Sequence, residues 1–135
     1  MKVVLDTNVV AYHLLGAPET VRTLSKTMRK ISSACAPALI EAELANVVWR
    51  SVTSGALTRD LALKKLEWAR ALPFERVACS TLWRGALVRA ISTRHSMYDV
   101  LFVELAVRRN LPLLTFDQEL IRHFPTVAVD PSTVE

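Results

Sequence analysis

Short apolar runs alternate with longer stretches of helical periodicity along the chain, and this alternation restricts the possible folds more than any other feature. Lys2–Leu5, Ser33–Cys35, Glu75–Cys79, Leu111–Leu114 and Val127–Val129 have the length and apolar character of buried strands. Helical patterns fall near residues 8–14, 19–30, 38–54, 58–71, 80–93, 97–109 and 117–123. Local chemistry marks several boundaries. Ser54-Gly55 ends one helix, Thr58-Arg59-Asp60 reads as the capped first turn of the next, and Pro73 stops that helix at Leu72. Pro112 forces an extended entry into the fourth strand. Strands that alternate with helices imply right-handed crossovers, hence an α/β fold with a central, mainly parallel five-stranded sheet and helices on both faces. No repeat, low-complexity tract or linker divides the 135 residues, so a single domain over residues 1–135 is expected.

Composition narrows the function classes. Apolar residues make up 51% of the chain and the mean hydropathy is +0.26, so the core is generous or another chain covers some apolar surface. The first helix, with Val9, Val10, Tyr12, Leu14 and Leu15, is too apolar to face water on all sides. No apolar run approaches the roughly 18 residues of a membrane span, and the N-terminus lacks the apolar stretch and cleavage site of a secretory signal. Cys35 and Cys79, each in a strand-like segment, read as separate thiols of a reducing compartment, and the cytoplasm is the expected location. Seventeen basic residues against thirteen acidic ones give a net charge of +4, which suits a polyanionic partner without requiring one.

Four carboxylates each have a plain structural reading, an N-cap for Asp6 and Asp117 above all, and gain weight only when taken together. Asp6 in LDTNV arrives as the chain leaves the first strand, where it either caps the following helix or holds a metal ion at the carboxyl edge of the sheet. In LIEAELANVVWR, Glu43 falls inside the apolar arc of the helix between Leu39 and Val47, whereas Glu41 sits at its margin. Asn46, three residues on, is placed to hydrogen-bond Glu43. Ser96 and Asp99 have the spacing of a capping box, yet Asp99 aligns with Phe102, Val103, Ala106 and Val107 on the apolar face. Glu104 and Arg108 read as an i, i+4 pair on the opposite, solvated side. Asp117 in LLTFDQEL follows a buried strand and precedes a short helix. Helices that follow parallel strands begin at the same sheet edge, so Asp6, Glu43, Asp99 and Asp117 can converge on one cleft. Clustered carboxylates stay ionised together only beside a cation. Oxygen-only ligands favour Mg²⁺ or Mn²⁺, and the lack of His or Cys at ligand spacing argues against zinc.

These residues resemble those of the PIN domain family, and most closely its VapC-type toxins of toxin–antitoxin pairs. The likeness runs over nearly the whole chain: VVLDTNVV, the Glu-x-x-Asn of EAELANVVWR, the YDVLFVELA helix, and LLTFDQEL before a final short strand. It implies a three-layer α/β/α sandwich and metal-dependent cleavage of RNA, with Asp6, Glu43, Asp99 and Asp117 as catalytic and Mg²⁺- or Mn²⁺-binding residues. Thr115 and Asn8 match positions that support such a site. A homodimer and a VapB-like antitoxin are implied as well.

Alternatives remain at this level. An RNA-processing PIN nuclease without an antitoxin shares the same acids. A haloacid-dehalogenase-like phosphatase also opens with a strand and an Asp, but has D-x-D where this chain has Asp6-Thr7-Asn8. A non-catalytic module of the same fold would have no need of all four acids. His13 and His95 are the residues available for a metal-free acid–base mechanism. With four acids assigned to a site, seventeen basic residues face nine others, a surplus of +8 that suits phosphates. Arg84, Arg89 and Arg94, or the cluster from Arg22 to Lys30, are placed to supply it.

Overall fold

A computed structural model describes residues 1–135. Five strands, β1 (Lys2–Leu5), β2 (Ser33–Pro37), β3 (Glu75–Val77), β4 (Leu113–Leu114) and β5 (Ala128–Val129), form one sheet in the order β3-β2-β1-β4-β5. Every pairing is parallel, with Val4 opposite both Cys35 and Leu113. The helices are α1 (Thr7–Leu15), α2 (Pro18–Met28), α3 (Leu39–Thr53), α4 (Arg59–Ala71), α5 (Trp83–Thr93), α6 (Met97–Arg109) and α7 (Gln118–His123). Right-handed crossovers from β1 to β2 and β3 put α1–α4 on one face, where α1 meets α2 and α3, and α3 meets α4. The return from β3 to β4 puts α5 and α6 on the other face, with α6 against β1, β2 and β4. The expected three-layer α/β/α arrangement is therefore present, and the sheet is wholly parallel.

Strand limits differ from the sequence reading where hydrogen bonding decides them. β2 runs on to Pro37, beyond the expected Cys35, because it pairs with Val77 at its end. β3 stops at Val77, and Cys79 begins a 3₁₀ turn, Cys79–Thr81, outside the expected strand. Pro112, with no N–H to give, stays outside β4, although its carbonyl accepts from Val4 N at 2.9 Å. Thr58 caps α4 as expected, accepting from Leu61 N at 3.3 Å.

Of two expectations about surfaces, the one for α1 is met within the chain itself and the one for α6 is corrected. The apolar residues of α1 are absorbed by the core, since Val9, Val10 and Leu14 are buried and only Tyr12 stands well out. On α6, every residue from Val100 to Ala106 is buried because α5 covers the side turned away from the sheet. Glu104 is consequently enclosed, not solvated. It pairs with Arg108 at 2.9 Å, as the spacing suggests, and also with Arg89 of α5 at 3.3 Å. Gly85 makes that enclosure possible, because a Cβ there would lie 2.6 Å from Glu104 Cδ.

Candidate functional site

The strand order reverses direction beside β1: β2 and β3 lie to one side, β4 and β5 to the other. In open α/β sheets, such a reversal leaves a crevice at the carboxyl edge between the two central strands. Here a cleft of about 380 Å³ opens there, lined by Asp6, Thr7, Asn8, Glu43, Asn46, Asp99 and Asp117 among others. The four acids singled out from the sequence thus come from four different segments to one place. Thr115 lies beneath them and is fully buried.

Asp6 is fixed from both sides. Its backbone N–H still belongs to the sheet, donating to Leu114 O at 3.0 Å. Carboxylate oxygen Oδ1 accepts from Thr7 N at 2.7 Å, so the capping role is real. Oδ2 accepts from the Thr115 hydroxyl at 2.6 Å. Thr115 Oγ1 in turn accepts from Asn8 Nδ2 at 3.2 Å and from Asp117 N at 3.0 Å. One donated and two accepted bonds exhaust that hydroxyl. Asn8 Oδ1 completes the arrangement by accepting from Phe116 N at 3.1 Å. Asn8 and Thr115, expected to support the site, tie the exit of β1 to the exit of β4.

Asp117 caps α7 with one oxygen only, Oδ1 accepting from Glu119 N and Leu120 N at 2.9 and 3.2 Å. Its other oxygen makes no hydrogen bond. Glu43 Oε1 accepts from the Thr7 hydroxyl at 2.7 Å. This replaces the expected bond from Asn46, which lines the cleft but makes no bond to Glu43. Thr7 wins because α1 packs on α3 and sets its first-turn hydroxyl directly against that glutamate. Thr7 is therefore the supporting residue that sequence reasoning missed, and its signal was a hydroxyl next to the strand-ending acid. Glu41 points elsewhere and pairs with Arg76 at 2.8 Å, in keeping with its marginal place on the helical wheel.

The capping box around Ser96 is half formed. Ser96 accepts from Tyr98 N at 3.3 Å, whereas Asp99 returns no bond and lines the cleft. Burial raises the proton affinity of three of the four acids. Asp6 is pushed up to about 6, chiefly by loss of water, with Asp99 and Glu43 adding repulsion while Thr115 and Thr7 N oppose the rise. Glu43 is raised by burial and by Asp99, against the bond from Thr7. Asp99 is raised by burial and by Asp117, against the pull of His95.

This electrostatic arrangement calls for positive charge. The acidic donors of the cleft are all carboxylates, three of them unbonded or singly bonded, and this chemistry fits a hard divalent cation. No three of the side chains already stand close together as a finished cage. The arginines at 84, 89 and 94 and the segment from Arg22 to Lys30 do not line the cleft. Arg50, seven residues beyond Glu43 on the same face of α3, does. His13 and His95 are also off the cleft wall, and His95 faces His123 instead.

Comparisons with known proteins agree with this architecture. The PIN domain profile matches residues 3–124. Ribonuclease VapC3 of Mycobacterium tuberculosis is 38% identical over 91 residues, a stretch covering 67% of this chain and 65% of that relative. Among solved structures, VapBC2 from Rickettsia felis bound to a DNA fragment from its promoter superposes with a TM-score of 0.66 at 17% identity, covering 96% of this chain and 98% of the other. A toxin–antitoxin complex from Klebsiella pneumoniae gives 0.65 at 15% identity, over 98% and 99% of the two chains. These structural neighbours share the fold. By sheet order, cleft position and the profile match over most of its length, the chain belongs to the PIN domain family.

Proposed function

We propose that the protein is a VapC-type endoribonuclease that hydrolyses RNA phosphodiester bonds with Mg²⁺ or Mn²⁺ and acts as the toxin of a cytoplasmic VapBC pair. The observation that carries this reading is the convergence of Asp6, Glu43, Asp99 and Asp117 on one cleft, with Asp6 clamped by Thr7 and Thr115. The ribonuclease similarity of the curated relative supplies the substrate class, and the toxin–antitoxin neighbours suggest the partner. A VapB-like antitoxin and a second copy of the chain are the expected protein partners. No helix is long and apolar enough to cross a membrane.

The four carboxylates would hold the cation between them. When bound, it supplies a Lewis acid that offsets phosphate charge and acidifies water. The chain's own residues do the rest. Thr7 N and Thr115 hold the two oxygens of Asp6, and the Thr7 hydroxyl holds Oε1 of Glu43, so both carboxylates are fixed in orientation at the cleft. Asp99 makes no hydrogen bond within the protein, so its carboxylate is free to bind the cation or to orient a water beside it. Asn8, where a dehalogenase-like enzyme has its second Asp, is an amide that donates to Thr115 Oγ1 and accepts from Phe116 N, and this structural use disfavours the phosphatase reading.

Direct attack of water on phosphorus leaves the RNA 2′-OH idle. Products should carry a 3′-hydroxyl and a 5′-phosphate, EDTA should stop the reaction, and a 2′-deoxy sugar at the scissile position should be cut. Cleavage that survives EDTA and fails on the deoxy substrate would overturn the mechanism.

A further inference from the structure

The wall of the cleft formed by α1 and α3 extends beyond the carboxylates and carries two side chains whose polar ends have no protein partner. Arg50 lines the same cavity as four acids, yet its guanidinium forms no salt bridge or hydrogen bond. Tyr12 is 48% exposed, its hydroxyl has no partner, and its ring is held edge-to-face on Phe116 with centroids 5.1 Å apart. Phe116 lies between Thr115 and Asp117, so this aromatic pair is anchored to the same β4 exit that carries the acids.

Resting on the ribonuclease reading above, we propose that Arg50 and Tyr12 seat single-stranded RNA beside the scissile bond. Arg50 grips a flanking phosphate and Tyr12 stacks on an adjoining base. Seven residues of helix separate Arg50 from Glu43, about 10 Å along the axis, so Arg50 meets a neighbouring phosphate and not the one being cut. A planar guanidinium offers the paired N–H groups that phosphate oxygens accept. A rigid, half-exposed aromatic ring gives a stacking platform tolerant of base identity. The remaining surface of the cleft is strongly acidic and repels a polyanion, so a free arginine there has a clear electrostatic use.

The test separates binding from cleavage. A fluorescent single-stranded oligoribonucleotide is titrated by anisotropy, in Mg²⁺ buffer, against the Glu43→Gln protein at several salt concentrations. Adding Arg50→Ala should weaken binding roughly tenfold and reduce the log–log salt slope by about 0.7. Arg50→Lys should keep the slope while recovering only part of the affinity. Tyr12→Ala should weaken binding by a similar factor with the slope unchanged, and Tyr12→Trp should restore it, which distinguishes stacking from lost packing on Phe116. Unchanged affinity and slope in the Ala variants would overturn the assignment, as would a parent protein that binds no RNA. If wild type fails to cut while the parent's binding responds as stated, the catalytic reading fails and the RNA-seating wall stands.

Discussion

Asp6 is only 8% exposed, and burial holds its carboxyl near 6, above the ordinary value of 3.8. Because the folded protein binds that proton more tightly than the unfolded chain does, stability is fully present below about 4 and is lost as pH rises through about 6. Glu43 and Asp99 shift in the same direction and reinforce the trend. In EDTA, thermal melts should therefore show a loss on the order of 1–3 kcal/mol between pH 4 and 7. Millimolar Mg²⁺ should reverse the slope by binding the ionised fold. A flat metal-free profile would mean that Asp6 is better solvated than its surroundings indicate. Among substitutions, Glu43→Gln is cleaner than Asp6→Asn. Gln keeps an oxygen for the Thr7 hydroxyl, whereas the Asn amide would press its hydrogens on Thr115 Oγ1, whose lone pairs already serve Asn8 and Asp117. Glu43→Gln should reduce RNA cleavage by about a hundredfold or more while the metal-free melting temperature holds or rises. Glu41→Gln should leave kcat and KM within about twofold and cost up to about 1 kcal/mol through Arg76, as exposed ion pairs do. The acids were legible in the sequence because Glu43 and Asp99 lie on apolar helix faces, while Asp6 and Asp117, each an ordinary cap alone, end strands at the same sheet edge. Thr7 and Arg50 break no local pattern, and only the packing of α1 on α3 gives them their places.

At the scale of elements, the strand–helix alternation was readable because each segment is short and strongly patterned. What it missed depends on neighbours that are distant in sequence. The solvated side assigned to α6 was a property of an isolated helix, and α5 removes it by lying across Glu104. The three groups Arg89, Glu104 and Arg108 then form a charged pin between the two helices. Its tight spot is Gly85, whose missing side chain leaves room for the carboxylate. Gly85→Ala should destabilise the protein by about 1–3 kcal/mol through overpacking, read as a lower midpoint in urea with an unchanged m-value. No loss would show that Glu104 has room to swing aside. Cys79 is a smaller case of the same kind: an apolar run announced a strand, but no partner strand extends far enough to pair with it, and the chain turns instead.

At the scale of the whole molecule, the high apolar content divides between a large core and exposed side chains on several helices, four of them on α5. Trp83, Leu87, Val88 and Ile91 on α5 are each more than half exposed. They recur at helical spacing and make an apolar patch of the kind found at the centre of an interface of about 800 Å² per partner. A second copy of the chain is the expected occupant, because a patch on a single helix can meet its own image about a two-fold axis. Sedimentation should show concentration-dependent dimers, and Leu87→Glu with Ile91→Glu should shift them to monomer without moving the metal-free melting temperature by more than a few degrees. Dimers that persist in that variant would place the interface elsewhere. The parallel sheet has a further consequence, in time. β1 is made first, yet its neighbour β4 begins only at Leu113, and Asp6 gains its clamp only when Thr115 arrives. Such long-range parallel pairing is slow to form. A nascent chain still on the ribosome therefore carries Asp6, Glu43 and Asp99 but no assembled cleft. Until Thr115 has emerged, the acids made before it cannot be drawn into one cleft.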